Sequence, residues 1–402
     1  MPYPIASIIV SVIALFAVAA LAGHWLARAG FPLPAFEARM GCIDGLRGYL
    51  ALSVLAHHFV MWMQVTRLGG GWGVPTVPLF NEFGSGAVGL FFMITGFVFY
   101  RRVLAGWRET PWSAVYITRM FRILPLVTIS IVAVAAVAMH RTGHALGRSD
   151  GPALLVWITS LGEPPLAGDA AASEINAGVL WTLRFEWAFY LVILPGLAVA
   201  TDLMRGRLPS PALPAALLVA ALVGGTTHLW VTLMSYLPHF AVGMLAYEAR
   251  RVPAIAARLR GRTAAVVAAA LLLLTSSRVA FPVGVGLPAF ALFFICVACG
   301  NDFFGVLRNR GALVLGELSF SLYLLHAILL SLFFVEAGPL AEHLSVAVLP
   351  AAMPLLGLVA VAVSCVTYTM IERPAMRVGR RLVDQWTGLH AVRRPAEIEV
   401  AP

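Results

Sequence analysis

The sequence predicts an all-α fold, a polytopic bundle of about eleven transmembrane helices. Three observations carry this expectation. Of 402 residues, 60% are hydrophobic and only 12% charged, and the mean hydropathy is +0.88, an excess of apolar surface beyond what a soluble core buries. The apolar residues come in runs of about 20, the length that crosses a hydrocarbon core of ~30 Å as a helix. The basic residues, all of them arginine, gather between alternate runs.

In chain order the runs lie near 4–22, 46–66, 84–100, 120–139, 179–200, 212–230, 232–248, 263–277, 281–299, 313–335 and 347–370. The first, PIASIIVSVIALFAVAALAG, has small residues near Ala17 to Ala20 that resemble a signal-peptide cleavage site, but no basic region precedes them. Its basic residues follow, at Arg28 and Arg39, as suits an anchor with its N-terminus outside. With residues 24–45 in the cytoplasm, alternation leaves only Arg67, Arg141, Arg148, Arg184 and Arg278 of the 28 arginines on the outer side. The positive-inside rule selects that orientation, a multi-pass protein of the inner (plasma) membrane with its C-terminus cytoplasmic. The net charge of +9 then reads as topology and contact with membrane lipids, with no nucleic-acid partner.

Residues 1–40 form an extra N-terminal span and its cytoplasmic link, 41–375 the main transmembrane domain, and 376–402 a basic cytoplasmic tail. In the tail Val378, Leu382 and Trp386 recur at i, i+4, i+8 beside Arg377, Arg380 and Arg381, a pattern that suits a helix on the membrane surface. The longest outer loop, 140–178, is expected to be solvated, with acids and histidines available to line an acceptor site. His140 and His144 have helical metal spacing but lack an acidic ligand nearby, and no metal is expected. The 4 cysteines are too scattered for a disulfide framework, and Cys296 and Cys299 read as small residues in helix packing.

Ionisable groups inside the spans point to function, because lipid penalises them. In the second run, IDGLRGYLALSVLAHHFV, the interval from Arg47 to His58 comes within about 20° of three full turns, and His57 lies about 80° off that face. A rise of ~1.5 Å per residue separates Arg47 from His58 by ~16 Å, a boundary from a midplane. In LWTLRFEWAFYL the residues Thr182, Glu186 and Tyr190 share a face, with Glu186 ~9 Å deep. In GELSFSLYLLHAILL the residues Ser319, Tyr323 and His326 share another, and His326 reaches a depth similar to that of His58. Arg119 and Arg122 stand together in YITRMFRILP, where guanidinium groups are suited to phosphate. Snorkelling arginines and polar helix packing explain the same residues without a site.

Taken in order, DGLRGYLALSVLAHH, GLFFMITGF at 89–97, RMFRILP at 119–125, WTLRFEWAFY at 181–190, LSFSLYLLH at 318–326 and ERP at 372–374 resemble successive blocks of the acyltransferase 3 family of membrane O-acyltransferases. The chain departs from the family pattern at Arg184, where a serine is usual, at Leu325, where tryptophan is common, and in its extra first span over a ten-span core. The resemblance implies transfer of an acyl group, commonly acetyl, from cytoplasmic acyl-CoA to a hydroxyl of a carbohydrate, glycolipid or other envelope-linked acceptor. It implies His58, Glu186 and His326 as catalytic residues, with His58 or His326 as base or acyl carrier. Arg47, Arg119 and Arg122 would hold the CoA phosphates, and Tyr190, Ser319 and Tyr323 the acceptor. The alternative is a proton-coupled transporter or flippase using the same histidines and glutamate as a relay, although the sequence lacks the repeated halves that such folds often show.

Overall fold

A helix satisfies every backbone polar group within its own segment, which is what a chain surrounded by lipid requires. The computed structural model describes residues 3–33, 41–224, 231–276 and 286–393, and its regular structure there is helix, with no strand. Expectations that fall on 34–40, 225–230, 277–285 and 394–402, including Arg39, Arg278 and Arg394, lie outside the described residues.

The chain opens with α1 (Ile5–Arg28), α2 (Gly41–Arg67), a short α3 (Pro78–Glu82), α4 (Ser85–Ala105) and the long α5 (Trp112–Thr142). A loop follows with α6 (Asp150–Ile158) and α7 (Ala172–Ile175). Next come α8 (Trp181–Ala188) and α9 (Leu194–Met204), joined by a π-helical turn at Phe189–Ile193. The third part holds α10 (Ala212–Gly224), α11 (Val231–Arg251), α12 (Pro253–Leu259), α13 (Arg262–Ser276) and α14 (Gly286–Ala298). The last contains α15 (Arg310–Ser331), α16 (Gly338–Glu342), α17 (Met353–Thr367) and α18 (Arg373–Arg393).

Each of the predicted runs falls on a helix, but length and composition qualify 6 stretches to cross a membrane: Ile5–Arg28, Pro78–Ala105, Trp112–Thr142, Trp181–Met204, Arg310–Glu336 and Leu349–Trp386. A seventh is added if α12 and α13, bent by 68°, count as one broken span. The helices α10 and α14 are shorter, and α2 and α11 are more polar. For α2 the polarity has a physical reason. Protein surrounds it: from Leu50 to Gln64 every residue but Ser53 is buried.

The centre of the bundle is the parallel pair α2 and α15. Glycines let the two backbones touch, since a Cβ at Gly316 would collide with the Asp44 carbonyl oxygen and one at Gly48 with the backbone of Leu315 and Gly316. On its far side α15 receives α1, whose Ala20 carbonyl rests on Gly311, and Ile8, Val12, Leu15 and Ala19 are buried there. Two apolar clusters flank the central pair, one built from α1, α2, α15 and α17, the other from α2, α4, α5, α8, α11 and α14.

Residues 140–178, expected to be a solvated outer loop, are exposed over 143–149 and fold into a cap beyond them. Trp157 is 0% exposed, and its Nε1 donates to the Pro164 carbonyl at 2.8 Å. Arg141 ties the cap to the end of α15 by donating to Glu336 at 2.7 Å and to the Ser331 hydroxyl at 2.8 Å. Glu163 accepts from the Leu180 amide at 3.2 Å and from Asn176 Nδ2 at 3.3 Å, fixing the entry to α8. Burial pushes the Glu163 carboxyl up to about 7, against the opposing pull of those two donors and Arg184.

Two outcomes follow from this packing. Gly316→Ala is expected to cost about 1–3 kcal/mol and to lower the melting temperature by several degrees, while Gly151→Ala, which meets open space, leaves it within a degree or so; thermal unfolding in detergent checks the pair. Glu163 binds its proton more tightly folded than unfolded, so its contribution is fully present below the unfolded value near 4.5 and is lost as pH rises toward about 7. Amide exchange at Leu180 should therefore quicken by about tenfold between pH 5 and pH 8 after correction for intrinsic exchange, and Glu163→Gln should flatten that trend.

Candidate active site

Helix periodicity places His58 and His326 at matching depths, and the parallel pairing of α2 with α15 brings them into contact. His58 Nδ1 lies 2.8 Å from His326 Nε2, with the rings stacked at 5.0 Å and 20°. The tautomers follow from the partners. His326 Nδ1 stands 2.8 Å from the Leu322 carbonyl, which only accepts, so Nδ1 carries the hydrogen. In a neutral pair His326 Nε2 is then an acceptor, His58 Nδ1 donates to it, and the lone pair of His58 is left on Nε2. Both residues are buried, His58 with 8% of its surface exposed and His326 with 1%. The adjacent His57 turns to the Phe80 carbonyl at 2.8 Å, and its ring lies against Gly84.

Below this pair opens a cavity of about 660 Å³ lined by Arg47, Arg119, Arg122, Glu186, Tyr190, Ser319 and Tyr323 together with apolar residues of α4 such as Val88, Phe91 and Val98. It thus gathers all the candidates except the two histidines. The cavity ends at Tyr323, one helical turn before His326, with 6.3 Å between the two rings. The Tyr323 hydroxyl donates to the Val179 carbonyl at 3.1 Å and meets Thr182 Oγ1 at 3.0 Å. Tyr323 therefore joins the top of the cavity to the stretch that Glu163 holds in place.

The carboxylates of the cavity are distributed among its arginines. Tyr190 donates to Glu186 at 3.3 Å, and Glu186 interacts electrostatically first with Arg119 and more weakly with Arg47 and Arg122. Arg119 also lies over the rings of Phe99 at 5.1 Å and Tyr190 at 6.0 Å. The π-helical turn Phe189–Ile193 contains Tyr190, a local distortion that often marks functional sites. Arg122 Nη1 stands 3.3 Å from Glu372 Oε2, and the other oxygen of Glu372 accepts from Ser321, so the ERP segment is locked to α5 and α15. Arg47 has Asp44 and Glu317 as its acidic neighbours. Ser319 donates to the Gly316 carbonyl of its own helix at 2.7 Å. Arg184 is exposed and points its Nε to the Trp181 carbonyl at 3.4 Å, away from the Glu186 face.

Sequence reasoning did not single out Glu317, Tyr368, Arg373, Arg377 or Arg380 as lining the cavity. Tyr368 donates to Glu317 at 3.0 Å across α15 and the turn after α17. Glu317 sits two residues before Ser319 in the segment already marked by its polar stripe, and an acid there was the available signal. The α18 arginines carried no comparable signal, because their spacing equally fits a helix that lies on lipid.

Comparison with known proteins adds one match. No curated protein and no solved structure matches the chain. A family model described as an acyltransferase domain matches residues 40–369, which leaves α1 and α18 outside and encloses the histidine pair and every cavity residue from Arg47 to Tyr368. A match over that share of 402 residues, on a helical membrane bundle carrying this site, shows that the chain belongs to the acyltransferase 3 family.

Proposed function

We propose that the protein moves an acyl group, acetyl being the common case, from acyl-CoA to a hydroxyl of a carbohydrate or other envelope-linked acceptor. The observation that carries this reading is the buried contact of His58 with His326, one helical turn beyond Tyr323, the residue at which the arginine-lined cavity ends. The arginine-rich mouth faces the cytoplasm, where the donor is found, and the cap built on Trp157 faces outward with the N-terminus. A volume of about 660 Å³ falls within the usual range for an enclosed small-molecule ligand. Arg47, Arg119 and Arg122 hold phosphate oxygens, and the rise of ~16 Å from Arg47 to His58 suits the pantetheine arm.

The chemistry is a two-stage acyl transfer. His58 Nε2 takes the proton of the acceptor hydroxyl as its oxygen attacks the thioester carbonyl. The tetrahedral intermediate then collapses, the carbon–sulfur bond breaks, and the histidinium returns the proton to the departing CoA thiolate. His326 holds His58 in the tautomer that leaves Nε2 unprotonated at the start, and its own Nδ1–H is fixed by Leu322. Glu186, with Tyr190 beside it, balances the guanidinium charge around the donor and orients the acceptor.

With purified protein in nanodiscs, His58→Ala should lower thiol release from acetyl-CoA by about 10²–10⁴-fold, and His57→Ala by less than about tenfold. Full activity in the His58 variant would sink the mechanism. Arg47→Ala should raise KM for acetyl-CoA by about tenfold or more through loss of a charge-assisted contact. In cells, deletion of the gene should remove an ester mass from envelope glycans or lipids, read by mass spectrometry.

A further inference from the structure

Arg373, Arg377 and Arg380 of α18 line the mouth of the cavity. They recur at i, i+4, i+7, so they share one helix face over ~10 Å. What fixes that face is Gly379, packed so closely on Phe121 of α5 that a Cβ there would stand 2.8 Å from the Phe121 Cβ. The contact sets the rotation of α18 and turns the three guanidiniums toward the opening.

Charge separates these arginines from the deeper ones. Arg122 has Glu372, Arg119 has Glu186, and Arg47 has Asp44 and Glu317. Among the described residues, Arg373, Arg377 and Arg380 form no ion pair with any acid. Three uncompensated positive charges at the entrance of an enclosed cavity attract an anion, and guanidiniums spread over ~10 Å match several phosphoryl groups better than one.

We infer that Arg373, Arg377 and Arg380 form a subsite for the 3′-phosphate end of the CoA donor, while the deeper arginines hold its pyrophosphate. The inference rests on the acyl-CoA reading above and adds to it the feature of the donor that is read at the mouth. A donor without the 3′-phosphate loses the α18 contacts and keeps the deeper ones. The enzyme therefore distinguishes CoA thioesters from thioesters of dephospho-CoA, and the discrimination lies in KM.

The test measures initial thiol release from acetyl-CoA and from acetyl-dephospho-CoA, using full-length protein in phosphatidylcholine nanodiscs. In the wild type KM should be about tenfold higher for the dephospho donor. In the double variant Arg377→Gln, Arg380→Gln that ratio should fall toward one, and Arg377→Lys, Arg380→Lys should restore part of it. An unchanged ratio in the Gln variant overturns the subsite. So does discrimination that appears only when phosphatidylglycerol is added, because lipid headgroups would then be the phosphates these arginines take. Turnover of both donors with equal KM removes the subsite and leaves the acyl-CoA reading standing, whereas turnover of neither removes both.

Discussion

The close approach of α2 and α15 is the constraint from which the rest of the site follows. Two parallel helices reach van der Waals contact of their backbones only where side chains are absent, and Gly48 and Gly316 supply those absences near the arginine-rich end. From that contact the helices climb together, and their registers bring His58 against His326. A larger residue at either glycine would separate the axes and lengthen a 2.8 Å contact that sets a tautomer. The packing of two small residues thus governs which nitrogen holds a proton more than a helical turn away.

A second consequence of burial is the way charge is arranged in the cavity. Taking a guanidinium out of water is expensive unless an acid or an aromatic face compensates it. Arg122 and Arg119 have both, the former with Glu372 and Phe320 and the latter with Glu186, Phe99 and Tyr190. Toward the mouth, water does that work, and the acids stop. The cavity therefore grades from a neutralised interior to a positive entrance, a shape of potential that draws an anion inward along one direction.

Much of this was legible in the sequence. Run length and arginine placement gave the membrane bundle, and the period of the helix placed Arg47 and His58 on one face and set His57 aside. The rise per residue alone sets the depth of His326 along its helix. What could not be read was contact between elements far apart in the chain. The pairing of Arg122 with Glu372 spans different helices, and so does that of Tyr368 with Glu317. The order of the outer loop was also hidden, because Trp157, Glu163 and Arg141 are held by partners such as Pro164, Leu180 and Glu336 that no local pattern announces. The number of crossings was the least legible feature, since α2 is more polar than a helix that faces lipid.

The sheltered position of α2 bears on how the protein is made. A helix carrying Asp44, Arg47, His57 and His58 is a poor substrate for release from the translocon into bare lipid. Its principal partner α15 is synthesised much later, with His326 lying 268 residues after His58. Until α15 emerges, α2 must shelter against α1, α4 or the insertion machinery itself. The candidate site is therefore completed late in biosynthesis, and a ribosome halted before residue 310 leaves its central helix without the surface that it is shaped to meet.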